Sequence, residues 1–282
     1  MPIEYDSRRA ALYTPERQET LFRRGQVYAP LQLAVEGARL AYYRAQKSET
    51  EKARLTEALS RVDFGTLTLF AEAKTGTEAF GARRADGATL LAFRGTQPDD
   101  VTDLATDLRA YTVPWPESAG RVHAGFAAAA RALLPQVHEW IAATGIDASK
   151  MIVTGHSLGA ALATLVASLL RPGFLVAIGS PRVGDADFAA SLAAANVVRL
   201  VDCCDAVTDV PPPLGGYKHV HARTYITRDG EVIDDPPQSL VDADRQRARM
   251  DYITQYAWKT GSVLVRDLAD HAPINYARAV FP

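Results

Sequence analysis

Ser157 sits among small residues, in the run Gly155-His156-Ser157-Leu158-Gly159. A serine hydroxyl is a weak nucleophile at its ordinary pKa. It attacks a carbonyl only when a base takes its proton and a carboxylate orients that base. The surroundings of the run fit such a nucleophile. The apolar Met151-Ile152-Val153 precedes it, and an Ala-rich stretch over residues 160–170 follows. A serine in a tight turn between a strand and a helix stands clear of the sheet edge, and the turn leaves no room for side chains two positions to either side. Gly155 and Gly159 meet that demand. The helix that opens after Ser157 directs its amide dipoles at the same point.

In a strand–turn–helix setting of this kind the chain order is serine, then acid, then histidine. Asp202, Asp205 and Asp209 follow the apolar run 197–201, and each is a candidate for the acid. The downstream histidines are His219, His221 and His271. His219 and His221 are two residues apart in an expected strand, a spacing that points to packing or hydrogen bonding. His271 follows the last expected helix, in a loop where a base is free to swing over the nucleophile, and it is the favoured base. His123 precedes Ser157 and does not fit the order. His156 is expected to point away from Ser157, because neighbouring residues of the turn diverge. Both are read as satisfied structural histidines.

The elements needed to position these groups can be read from periodicity. Residues 14–60 are expected to be helical, opening at Thr14-Pro15-Glu16-Arg17 with proline in the first turn. Residues 63–95 read as extended, with a hairpin at Ala85-Asp86-Gly87 and a short apolar strand ending at Arg94-Gly95-Thr96. An acidic segment, 97–111, leads to a Pro/Trp loop around Trp115. Helices are then expected at 125–144, 160–170 and 185–195, alternating with strands at 150–154, 174–178 and 197–201. A strand at 219–227 and helices to about residue 259 complete the reading. Short apolar strands separated by helices give an α/β fold, with a mostly parallel central sheet covered by helices on both faces. Residues 1–282 are expected to form a single domain.

Composition excludes several classes. A formal net charge of −2 and the absence of a long basic run leave a nucleic-acid partner without electrostatic support. Residues 151–170 carry no Asp, Glu, Lys or Arg, but Thr154-Gly155-His156-Ser157 divides them into pieces too short to span a bilayer. The two cysteines, Cys203 and Cys204, are adjacent, and neighbours bridge only through a strained ring. They are expected to pack under the acid loop, with a reactive thiol as the alternative. The opening residues, Met1-Pro2-Ile3-Glu4-Tyr5-Asp6, lack the apolar stretch of a signal peptide, so the cytoplasm is the default location, with secretion by another route or a removed leader left open.

From about Phe93 to Tyr276 the chain resembles the class 3 lipases, α/β-hydrolases that include fungal triacylglycerol lipases and feruloyl esterases. Six blocks carry the resemblance in order: Phe93-Arg94-Gly95-Thr96; Val122-His123-Ala124-Gly125-Phe126; the serine turn; Gly179-Ser180-Pro181-Arg182-Val183-Gly184; Val201 to Val207 followed by Pro211-Pro212; and Asp270-His271 with Tyr276. The resemblance implies a Ser157-Asp205-His271 triad, with an oxyanion hole at Thr96 and Leu158. It implies that Asp107 anchors the Thr96 hydroxyl, the alternative being a surface carboxylate, and that no metal or organic cofactor is required. It also implies a lid over 97–113. Leu104 stands where the family's lid helix carries tryptophan, and four aspartates lie between Asp99 and Asp107. So polar a lid favours a carboxylesterase or short-chain lipase, and Tyr111 and Trp115 are candidates to line an acyl or aromatic site. The expected partner is a small ester or acylglycerol, with transient contact at a lipid interface. Phospholipase A1, feruloyl esterase and acyltransferase use the same groups, and a non-catalytic binding module is the rival from another class.

Overall fold

The computed structural model describes residues 3–96, 111–213 and 215–281. The first part of the chain supplies α1 (Arg9–Tyr13), α2 (Pro30–Leu40), α3 (Glu49–Ser60), β1 (Phe64–Glu72), β2 (Thr77–Arg84), β3 (Thr89–Phe93), β4 (Thr112–Pro114) and β5 (Arg121–His123). Next come α4 (Ala124–Thr144), β6 (Met151–His156), α5 (Leu158–Leu170), β7 (Phe174–Ile178), α6 (Ala186–Ser191) and β8 (Val197–Asp202). The chain continues with β9 (Thr224–Ile226), β10 (Val232–Asp234), α7 (Gln238–Gln255), α8 (Arg266–Ala269) and α9 (Pro273–Ala277).

The central sheet has the order β1-β2-β3-β6-β7-β8-β9-β10. Its middle, β3-β6-β7-β8-β9, is parallel, and antiparallel pairs flank it on both sides. Burial on both faces follows from the alternation within single strands. In β3, Leu90 and Ala92 join the cluster under α2 and α3, whereas Leu91 and Phe93 join the one under α4 and α5. The apolar runs read as strands in the sequence are apolar because neither face meets water. Pairing of Phe93 with Gly155, His156 with Ile178, and Ile178 with Leu200 brings the carboxyl ends of β3, β6, β7 and β8 to one sheet edge. Ligands of open α/β sheets bind at that edge.

Three expectations change. Residues 14–60 are not continuously helical. Pro15–Arg17 is a single 3-10 turn, and irregular chain runs on to α2, pinned where the buried Glu36 carboxylate accepts the Thr20 hydroxyl and the Leu21 amide, each at 2.8 Å. The strand expected at 219–227 shrinks to β9, because His221 takes a left-handed φ of 55° that no strand accommodates. The helix expected at 185–195 ends at Ser191 in α6, after the Asp185 carboxylate caps it on the Phe188 amide at 2.9 Å. No described helix is long and apolar enough to cross a membrane.

Candidate active site

Ser157 follows the last residue of β6 and precedes the first of α5, with φ 58° and ψ −128°. Few non-glycine residues adopt such a backbone, and it costs on the order of 1–3 kcal/mol. The Ser157 amide bonds Ile178 O at 2.9 Å, locking the turn to β7. The small-residue requirement has a direct physical cause. A Cβ on Gly155 would lie 2.2 Å from Gly159 O, and one on Gly159 would lie 2.2 Å from Phe93 O. Both obstacles are backbone, so no rotamer relieves them. Gly159→Ala is therefore expected to destabilise the fold by at least about 3 kcal/mol, lowering Tm by roughly 6–12 °C. An unchanged melting curve by circular dichroism would show that α5 and β3 separate freely.

Of the three candidate acids, only Asp205 reaches a histidine. Fully buried, it accepts the Val207 amide on Oδ1 at 2.9 Å, and on Oδ2 it pairs with His271 Nδ1 at 2.8 Å and accepts the Tyr276 hydroxyl at 2.5 Å. Asp202 accepts the Cys203 amide and faces Arg278, while Asp209 pairs with Arg245. His219 and His221 bond the carbonyls of Thr208 and Leu192, in agreement with a structural reading. Gly179 makes room for the pair: at φ 56°, a Cβ there would lie 2.9 Å from Asp205 Oδ2 and 3.3 Å from His271 Nδ1.

His271 does not sit in a free loop, contrary to expectation. It is buried between α8 and α9. Its neighbour Asp270 accepts the Tyr5 hydroxyl (2.7 Å), the Cys204 amide (2.9 Å) and the Arg266 guanidinium, so the N-terminal segment and the acid loop both grip the histidine turn. Ser157 Oγ and His271 Nε2 are buried, and neither has a hydrogen-bond partner among the described residues.

Thr96 and Leu158 line one cavity of about 190 Å³, together with Thr75, Thr77, Arg94 and Leu162. Leu158 opens α5, so its N–H has no partner within the helix. Thr96 Oγ1 is buried without a partner among the described residues. Asp107, Leu104 and most of the lid-like segment lie outside the described residues.

Trp115 is core rather than site lining: it is fully buried and donates from Nε1 to Ser168 Oγ at 3.1 Å. Tyr111 is exposed. His123 caps α4 by accepting the Phe126 amide, but its Nε2 is buried and unpartnered, so it is only half satisfied; burial lowers its pKa to about 4. His156 does not point away from the site. Its ring packs 4.5 Å from that of His271. Cys203 and Cys204 are free, buried beneath the acid loop and within 4.8 Å of the Asp270 carboxylate. Asp270 is already bonded on both oxygens, and contact with Cys204 followed by burial pushes the Cys203 thiol far up, which suits a packed hydrogen-bonded cluster better than a metal centre or reactive thiol. Sequence reasoning gave no role to Tyr276 or Gly179, although both lie in the quoted blocks, and it had no signal for Tyr42.

The sequence model of the family described as "Lipase (class 3)" matches residues 90–215, which include Thr96, the serine turn and Asp205. Over these residues the chain is similar to the class 3 lipases. A secreted mono- and diacylglycerol lipase 1 from Fusarium solani is 35% identical over 122 residues, covering 40% of this chain and 36% of that protein. A lipase from Rhizopus niveus is 31% identical over 178 residues, covering 57% of this chain and 44% of that protein. The chain thus spans less than half the length of these curated relatives. The solved structure of lipase II from Rhizopus niveus superposes with a TM-score of 0.57 at 27% identity, over 70% of this chain and 79% of that one. The α/β-hydrolase fold is common to them.

Proposed function

We propose that the chain is a serine carboxylic-ester hydrolase that cleaves acyl esters or acylglycerols through an acyl-enzyme. One observation carries the reading: the buried Asp205–His271 pair stands at the same sheet edge as the strained Ser157 turn. In this reading His271 Nε2 takes the Ser157 proton as Oγ attacks the ester carbonyl, and then delivers it to the departing alkoxide. Asp205 holds the Nδ1–H and stabilises the imidazolium. The oxyanion meets the N–H groups of Leu158 and Thr96, each worth about 2.7–4 kcal/mol of barrier by analogy with donors of this kind. Water then repeats the sequence on the acyl-enzyme. Asp107 is the proposed anchor of the Thr96 hydroxyl.

The four aspartates between Asp99 and Asp107 leave little apolar area for a lipid surface, which supports short acyl chains. With p-nitrophenyl esters of graded acyl length, activity is expected to peak at the short end and to vanish in Ser157→Ala. A long-chain peak would overturn the reading of the lid, and activity surviving in the variant would overturn the triad. Release of fatty acid from the sn-1 position of phosphatidylcholine, or of ferulate from its esters, would reassign the substrate while keeping the machinery. The relative from Fusarium solani is named as secreted.

A further inference from the structure

We propose that Tyr42 and His156 are positioning residues that fix the plane of the His271 ring and the seat of the oxyanion loop. The inference rests on the ester-hydrolase reading of the same site. Tyr42 lies just past the end of α2, far from the serine turn in the chain. Its buried hydroxyl is 2.7 Å from His156 Nδ1. The same hydroxyl would lie 2.2 Å from a Cβ on Gly95, and His156 O would lie 2.6 Å from it, so glycine is required where this contact meets the residue before Thr96. One hydroxyl therefore touches both the serine turn and the loop carrying Thr96.

The His156 ring continues the contact to the base. It packs 4.5 Å from the His271 ring at 37°, and 5.8 Å from Tyr276, edge to face. His271 is tethered through a single bond at Nδ1, which leaves the ring able to rock about that bond. A flat neighbour against its face removes that freedom and sets where Nε2 points. The neighbour must also be uncharged, because a cation there would repel the imidazolium that forms during turnover. Burial, reinforced by the nearby His271, holds the His156 pKa well below its ordinary value, so this ring stays neutral. Tyr42 fixes the ring's rotation without altering its charge, since burial raises the tyrosine's own pKa.

The test compares Tyr42→Phe, His156→Phe and the double variant with wild type, reading kcat and KM separately, Tm, and the NMR resonance of the proton between Asp205 and His271. A reacting group displaced by about 1 Å loses up to about 100-fold in rate. Tyr42→Phe is therefore expected to lower kcat by about 10- to 100-fold with KM within about twofold, and to shift or broaden the resonance. The double variant is expected to be no worse than the worse single one, since both remove one bond. A kcat within about twofold of wild type overturns the proposal. So does a loss of kcat that follows Tm while the resonance stays in place. If wild type hydrolyses no ester, the functional reading falls, and the resonance alone decides the positioning: moved in Tyr42→Phe it stands, unmoved it falls.

Discussion

Ser157→Ala is expected to lower kcat for ester hydrolysis by roughly 10⁶, with a Tm close to wild type. The hydroxyl supplies the bond that opens the acyl-enzyme path. His271→Ala should lose about as much, and the double variant little more, because serine and base act as one unit. Progress curves with a p-nitrophenyl ester at high enzyme concentration measure all three. A double variant slower by the product of the two single losses would show that the residues act independently, contrary to the shared proton transfer. Ser157→Gly adds a structural check. It should be equally inactive yet melt a few degrees higher, because glycine adopts φ 58° freely while serine is strained there. An activity site that stores strain in its own nucleophile gives this pairing of lost function and gained stability. A serine kept only to start a helix does not.

Asp205→Asn is expected to lower kcat by about 10⁴ and to destabilise the fold by about 1–3 kcal/mol. The carboxylate faces three donors: the Val207 amide on one oxygen, and the His271 ring and Tyr276 hydroxyl on the other. An amide can offer its oxygen to only one side. If the NH₂ turns toward His271, the ring must accept there and carry its proton on Nε2, where it can no longer receive one from Ser157. If the NH₂ turns toward Val207, two N–H groups meet in a fully buried site, and one of them goes unsatisfied. Steady-state kinetics with a denaturant melt separates the two: a large loss of kcat with unchanged stability selects the first orientation. Activity near wild type would remove Asp205 from the mechanism.

The sequence carried much of the fold because a parallel sheet buried on both faces must be built from short, fully apolar runs, and these stand out between helices. Phe174–Ile178 is legible for that reason, and the antiparallel hairpin closed by Asp86-Gly87 is legible from its turn residues. The N-terminal region was less legible. Its helix-favouring composition is interrupted by a loop that a single buried side chain, Glu36, holds in place, and composition does not report a long-range hydrogen bond. His219 and His221 sit in a segment that reads as strand until the left-handed backbone at His221 is seen.

For the site, the serine turn could be read from the sequence alone. A Cβ at Gly155 or Gly159 would strike backbone a few residues away or across one strand, and that steric rule is written in the spacing. The sequence also narrowed the base to a histidine after the serine. The choice of acid was different. Asp202, Asp205 and Asp209 are equivalent in type and near in sequence, and family resemblance alone favoured Asp205. Only the tertiary structure distinguished them physically, by turning one carboxylate toward His271, Tyr276 and the Val207 amide while the others face arginines. Tertiary structure alone also placed the His156 ring against His271 and the Tyr42 hydroxyl, 114 positions earlier, on His156. Spacing encodes clashes between neighbours in the chain, whereas the partner of a buried polar group is set by whichever distant element the packed core brings beside it.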